Sequence, residues 1–459
     1  MRSAKPVLAT GAALTVLIMA TTSQAQTAPD PVAPPGAETP SDEAPEPPPP
    51  EPPPPEPPAP PPTISDAIGA GKLIFESRLR FESVDQVGLA NTGQALTLRT
   101  RLGWETGAWH DVKGLVEFED VRQLGAEDYN IQVPGVAPSL NGKTLYPIIN
   151  DPEVTELNRA QLTWSPSSEL SITAGRQRIL IDDQRFVGNV GWRQDEQTFD
   201  ALRVDAARGR LKATYVYVGH VNRILGEMRD WDSDSQLLNV TWALAEPLKL
   251  QGFVYALDFE NSPANSSITR GAKASGKLWL GLVQLAYNAT YARQSDYRGA
   301  TAPFDLDYQG GDVAGTFDIY TVRLSYESLE GNGVRGFTTP LATTHAFQGW
   351  ADAWVSPAGN KSFRDGLEDL NLTLVVKPRF KFTYLFNSEF TVRYHDFDDQ
   401  RTGADLGGEW DLQASAALTP KLTLLVKYAD FEREKTVPLG TAAPPASRTK
   451  TWISLEYRF

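Results

Sequence analysis

The chain has 459 residues, no cysteine and a formal net charge of −14. Without cysteine there are no disulfides, no thiolate metal sites and no lipid anchor at a cysteine. The acidic balance excludes nucleic acid as a partner, because binding it needs a net basic surface; the charge is also uneven, since residues 26–62 carry seven acids and no base, which leaves −9 for residues 63–459.

Residues 1–25 read as a signal peptide. Arg2 and Lys5 make a positive start, Val7 to Ala20 is an apolar run, and Ser23-Gln24-Ala25 offers small residues at −3 and −1, so cleavage is expected before Gln26. No later run of 18 apolar residues is free of charges, so no transmembrane helix is expected.

Residues 26–71 read as an acidic, proline-rich, disordered spacer on the periplasmic side. Residues 29–62 hold 19 of the 35 prolines. Proline lacks the donor that helix and sheet require. A polyproline II stretch rises about 3.1 Å per residue, so the segment from Pro45 to Pro62 could reach roughly 55 Å. Two readings stay open for it: a plain spacer, or a tether that touches the cell wall or a periplasmic partner.

From Lys72 to Phe459 short alternating segments follow one another, punctuated by Gly, Asn, Asp and Pro. Leu73, Phe75, Leu79 and Phe81 oppose Glu76, Arg78, Arg80 and Glu82; Leu96, Leu98, Leu102 and Trp104 oppose Thr97, Arg99, Arg101 and Glu105. The fullest case runs from Phe380 to His395. Phe380, Tyr384, Val392 and Tyr394 share its oily face, and Lys381 and Arg393 share the charged one. Many segments reach the roughly 9–11 residues that a tilted membrane strand needs. Lipid outside and water inside explain both the length and the one-sided charge. The expected fold is all-β, a transmembrane antiparallel β-barrel in the outer membrane of a Gram-negative bacterium, spanning 72–459.

Strands are predicted at 72–84, 94–106, 112–121, 154–164, 170–180, 197–206, 211–220, 235–245, 248–259, 267–275, 277–292, 317–328, 368–377, 379–395, 403–417, 421–431 and 449–459. A single-chain bacterial barrel takes an even number. Long and short turns alternate from both ends, and the two counts disagree across 329–367. A further strand is therefore expected there, with Thr344 to Trp354 as its best position. The total becomes about 18, or 16 if one strand has been wrongly split. Such a barrel leaves an aqueous lumen, and the long segments 122–153 and 329–367 could fold into it. Trp104, Trp164 and Trp242 end their strands with outward parity, as a girdle at one membrane interface would require. The chain closes on TWISLEYRF, whose terminal aromatic Phe459 resembles the signal read by the barrel-assembly machinery.

The stretches ALTLRTRLGWETG (95–107), DPEVTELNRAQL (151–162), GRQRILIDDQRFVGNVGWRQDEQTFDALR (175–203) and TTHAFQGWADAW (343–354) resemble the alginate export family of outer-membrane proteins. The resemblance covers roughly residues 72–459, and its most specific part is the run from Gly175 to Arg203. It implies an 18-stranded barrel with an arginine-rich pore that passes a polyuronate. The proline-rich segment is not part of the family pattern. The family is broad, so its name does not settle the solute.

Inward parity selects Arg78, Arg80, Arg99, Arg101, Arg159, Arg203, Arg323, Lys381 and Arg393 as pore-lining or solute-binding, with Lys377, Lys427 and Arg458 beside them. Inward bases exceed inward acids by only 12 to 9. Arginine suits carboxylate recognition because its planar fork donates in pairs and stays charged. Either the adjacent Arg78, Arg80, Arg99 and Arg101 form a solute-facing ladder, or these charges pair along the wall and keep it wet. Around Gly175 the parity breaks: a strict strand would send Arg176 and Arg178 into lipid, so a bulge or the strand's upper end must relieve them. Arg185 and Arg193 follow, at the mouth or in an ordinary solvated loop. No catalytic residue, cofactor or metal is expected, since His110, His220, His345 and His395 show no ligand spacing, and Asp396, Asp398 and Asp399, which could bind calcium weakly, read rather as a solvated loop. The expected function is an outer-membrane channel for an anionic polysaccharide or a small acidic solute. The alternatives are a diffusion porin for acidic or polar solutes and an occluded structural barrel. The expected partners are outer-membrane lipid, the assembly machinery and the solute.

Overall fold

The computed structural model describes residues 63–132, 138–355, 364–379, 385–438 and 441–459. The signal peptide, the proline-rich run, Phe380, Lys381 and Tyr384 lie outside the described residues. The first element is a short helix, α1 (Ile64–Gly69), started by a reciprocal capping box between Thr63 and Asp66. It docks on the barrel rim: the Trp104 indole donates to the Ile68 carbonyl at 3.2 Å, and the Gly107 amide donates to that of Ala67 at 2.8 Å. The spacer expected to run to residue 71 therefore gives way to a packed helix at residue 64, because Thr63 and Asp66 can cap what the prolines before them cannot form.

The strands are β1 (Lys72–Gln86), β2 (Gly93–Glu105), β3 (Val112–Asp128), β4 (Val154–Ser167), β5 (Leu170–Gln177), β6 (Thr198–Arg208), β7 (Leu211–Asn222), β8 (Trp231–Ala245) and β9 (Leu248–Leu257). They continue with β10 (Ser267–Leu280), β11 (Val283–Ser295), β12 (Asp305–Phe317), β13 (Tyr320–Glu330), β14 (Gly366–Val376), β15 (Phe386–Asp398), β16 (Asp405–Thr419), β17 (Leu422–Arg433) and β18 (Arg448–Arg458). Each pairs antiparallel with its chain neighbours, and β1 pairs with β18 from Glu76–Arg458 to Gln86–Arg448, so the sheet closes as an 18-stranded barrel. Closure leaves no open edge, as a membrane span requires. Phe459 extends the seam, its amide donating to the Phe75 carbonyl at 2.9 Å.

The eighteenth strand is β12, and not Thr344–Trp354. Residues 305–317 read DLDYQGGDVAGTF. Gly310, Gly311 and Gly315 dilute the alternation, and Asp305 and Asp307 occupy its outward parity near one end, so period two is hard to see. Leu306, Tyr308 and Ala314, buried, and Val313 and Phe317, exposed, are what betrays the two faces. Residues 344–354 instead turn into the barrel through a 3-10 turn, Thr344–Ala346.

Two-residue turns join β4 to β5, β6 to β7, β8 to β9, β10 to β11, β12 to β13 and β16 to β17 at one end, and the long segments lie at the other. In bacterial barrels the short turns face the periplasm. Trp104, Trp164 and Trp242 sit near the short-turn end and are exposed on the outer face. Leu102, Phe118, Leu162, Val322, Leu324 and Leu372 form the exposed apolar band. Val392 and Tyr394 lie on that outer face, while Arg393 points inward and donates to Thr373 Oγ1 at 2.9 Å.

Gly175 resolves the parity break. Its φ of +111° is open to glycine alone among ordinary residues, and a Cβ there would sit 2.3 Å from the Ala160 carbonyl oxygen. Beyond it Arg176 stays on the strand and pairs with Asp200 at 2.8 Å, while β5 ends at Gln177 and Arg178 turns inward to Glu117 and Glu196. The strand's upper end thus relieves Arg178, whereas no register shift breaks β5 at Gly175 and Arg176 is met by its ion pair with Asp200.

Candidate functional site

The lumen is not an open tube. Three segments at the long-loop end enter it: residues 178–197 between β5 and β6, the described part of 331–365 between β13 and β14, and the described part of 129–153 between β3 and β4. The last two were expected to be able to do so from their length. The first, which is the most deeply placed, was not.

Residues 191–196 rest on the arginines of β1 and β2. Arg78 donates to the Gly191 carbonyl at 3.1 Å, to the Arg193 carbonyl, and to Gln194 Oε1 at 2.9 Å. Arg80 donates to the Trp192 carbonyl at 2.5 Å and lies over the Trp192 ring at 4.1 Å. Arg99 pairs with Glu76, and Arg101 with Glu119 and Glu196. All four arginines are buried, at most 5% exposed as residues. The solute-facing ladder is thereby corrected. These side chains do point inward, but Arg78, Arg80 and Arg101 hold the segment that covers them, an unpaired buried backbone carbonyl being costly, while Arg99 pairs with Glu76, Glu119 and Glu456 of the wall.

The remaining sequence-selected residues divide by depth. Arg159 pairs with Glu117 at 2.6 Å, Arg203 with Asp205 at 2.6 Å and Arg323 with Asp312 at 2.8 Å, and all three keep some exposure to the lumen. Arg185 and Arg193 are not ordinary solvated loop charges. Arg185 is buried, paired with Glu327 and bonded to Thr339 Oγ1 at 2.9 Å. Arg193 reaches Glu82 at 3.1 Å, Asp352 at 3.3 Å and Asp151 at 3.7 Å, so one guanidinium joins β1 to all three inward segments. Asp399, read as part of a solvated loop, is buried and accepts the Arg401 and Thr402 amides.

Above this lies an aromatic and ionic joint that the sequence reading missed. Trp192 stacks on His345 with centroids 4.2 Å apart, and Trp452 meets both edge-on. Lys427 Nζ sits 2.8 Å from His345 Nε2 and 3.6 Å from the Trp350 ring centroid. His345 Nδ1 contacts Asp352 Oδ1 at 2.8 Å, and Lys450 donates to Asp352 Oδ2 at 2.8 Å. Burial holds the His345 imidazole well below its usual range, with Lys427 adding to that against the opposing pull of Asp352. The ring is therefore neutral: Lys427 donates to Nε2, and Nδ1–H donates to Asp352. Of this joint, inward parity selected only Lys427, on β17.

Outside the joint is a cavity of about 570 Å³ between the long segments. Arg193, Arg223, Arg229, Arg448 and Lys450 border it against only two carboxylates, Asp230 and Asp352. Arg193 and Lys450 already serve Asp352, whereas Arg223, Arg229 and Arg448 have no carboxylate within 4 Å among the described residues. Arg223 lies over the Trp231 ring at 3.8 Å; burial brings its pKa down to about 10 against the pull of Asp230, so it stays charged at neutral pH. Positive charge without a carboxylate within 4 Å thus borders the outer vestibule, whereas Arg78 and Arg80, equally without one among the described residues, are spent on the carbonyls of the 191–196 segment.

A family model described as alginate export matches residues 72–358. The chain belongs to the alginate export family. Among solved structures this family member resembles Pseudomonas aeruginosa OpdK crystallised with vanillate (12% identity, TM-score 0.62, 85% of this chain and 99% of that one). It also resembles Acinetobacter baumannii OccAB4 (11%, TM-score 0.64, 85% and 98%) and Pseudomonas aeruginosa OccK9 (12%, TM-score 0.63, 86% and 100%). At such identities the likeness is one of fold. No curated protein sequence matches the chain. The family and the fold together make this family member an outer-membrane β-barrel channel.

Proposed function

We propose that the channel is anion-selective and that its outer vestibule takes up a small polar solute bearing carboxylates. The observation that carries this is the 570 Å³ cavity with three arginines lacking carboxylate partners. A cavity of this size suits a ligand of one or two sugar rings or an aromatic acid. Guanidinium forks beside low-dielectric walls favour a carboxylate over a neutral hydroxyl. Permeating ions sense fixed charges within a Debye length, about 8 Å at physiological salt, so the vestibule outweighs an acidic pI spread over the whole chain. No catalytic role is proposed.

The test is the reversal potential of the reconstituted channel in a salt gradient, together with liposome swelling in glucuronate and in glucose. Anion preference and faster glucuronate entry are expected, and Arg223→Gln with Arg448→Gln should move the reversal potential toward the cation side. Cation selectivity in the wild type would overturn the reading, and absence of conductance would favour an occluded barrel. A second reading, passage of a polyuronate, is favoured by family membership. It requires the buried joint of Trp192, His345 and Trp350 to part, so oligouronates should then block current only in a variant whose joint is broken.

A further inference from the structure

Glu119 and Glu156 face each other across the β3–β4 pair, both on the lumen side. Like charges directly opposite on neighbouring strands are destabilising. Asp195, carried in by the 178–197 segment, joins them. One oxygen from each of the three carboxylates lies within 4.8 Å of the other two.

The nearby arginines are already committed, and within the cluster they reach only Glu119. Arg101 serves Glu119, Glu76 and Glu196; Arg178 serves Glu117 and Glu196; Arg159 serves Glu117. Glu156 and Asp195 enter no ion pair among the described residues. Asp195 is fully buried, and neither of its carboxylate oxygens has a hydrogen-bond partner there. Glu156 Oε1 and the oxygen of the buried Asn158 side chain are likewise buried without partners. A buried charge needs a partner, so two carboxylates without an ion pair beside a third must be met by a cation or by protons.

We propose that Glu119, Glu156 and Asp195 bind a calcium ion that fastens the 178–197 segment to the barrel wall. All the donors are hard oxygens, with no imidazole or thiolate, which selects against transition metals. Calcium binds oxygen at about 2.4 Å, so two of its ligands lie at most about twice that distance apart, which the 4.8 Å spread meets. It also accepts irregular geometry, whereas magnesium demands a near-ideal octahedron. The site unites two adjacent strands with the most deeply placed segment of the lumen, so its occupancy sets how firmly that segment is seated.

The full chain, folded in detergent, treated with EDTA and desalted, should bind one calcium per molecule by titration calorimetry, and calcium should raise its thermal midpoint. Glu156→Gln and Asp195→Asn should each weaken binding at least tenfold, while Glu105→Gln, an inward acid outside the cluster, should leave it unchanged. If Asp195→Asn does not fold, the less buried Glu156→Gln carries the comparison. The proposal is overturned by absence of calcium heat at millimolar concentration, by binding that survives the cluster variants, or by equal affinity for magnesium. It is also overturned if calcium has no effect while both variants become more stable, which would mean that protons shared among the carboxylates do this work.

Discussion

Arg193 is the point at which the lumen segments can be released without cutting the barrel. Replacing it with methionine keeps the bulk of the stem and removes the guanidinium. Glu82 and Asp151, each 1% exposed at the side chain, then lose the cation at 3.1 and 3.7 Å and have no other ion pair among the described residues. Breaking a buried pair from one side costs about 3–5 kcal/mol, because the remaining charge stays buried and uncompensated. At 1.36 kcal/mol per factor of ten, the seated arrangement should weaken by roughly two to three and a half orders of magnitude. The effect should be local, since β1 and β18 keep their ladder. Hydrogen exchange followed by mass spectrometry reads it directly. The amides of residues 193, 194, 196 and 197, held now by Val190 O, Asp151 Oδ1, Glu119 Oε1 and Asn189 O, should lose protection by that factor, while strand peptides keep theirs. In single-channel records the variant should visit a higher-conductance level. A cycle with Glu82→Gln should show coupling above about 1 kcal/mol. Unchanged protection at 193–197, or strict additivity in the cycle, would refute the idea that this guanidinium holds the segment in place.

The other predictions concern acid, backbone, assembly and the N-terminal run. His345 is held neutral when seated, with its pKa below the ordinary 6.5, and it faces Asp352, Lys427 and Arg193. Seating should therefore be constant above about 6.5 and weaken as pH falls below it, seen as more frequent high-conductance events between pH 7 and 5; a His345→Gln channel showing the same pH dependence would remove the histidine from the account. Gly175→Ala places a Cβ 2.3 Å from the Ala160 carbonyl at a φ of +111°, so the unfolding midpoint in denaturant should drop by the equivalent of about 1–3 kcal/mol, and an unaltered midpoint would contradict the strain. Deleting Phe459 should slow assembly and lower surface levels by immunoblot, whereas normal levels would assign the residue only to the β1 seam. Removing residues 26–62 should leave ion selectivity unchanged, and a shifted reversal potential would bring its acids into the conduction path.

The alternation of side chains is a local property with a period of two residues, and it alone decided the fold class, the inward and outward faces, and most of the strands. Arg99 against Leu102, or Arg393 against Val392 and Tyr394, could be placed without knowing any partner. It failed at β12, where glycines and outward aspartates at one end erase the contrast that lipid normally writes into a strand. What the lumen contains was decided only in three dimensions. Arg78 and Gln194 meet across 116 positions of chain, and Lys427 meets His345 across 82. Parity says that Arg78 points inward but not whether water or a folded segment awaits it there. The 178–197 segment has no repeat of its own, because its conformation is set by the guanidiniums, carboxylates and indoles of strands far away in sequence. The same separation hid the cluster of Glu119, Glu156 and Asp195, whose members are strangers along the chain and neighbours only once the barrel has closed around the segment that brings Asp195 in.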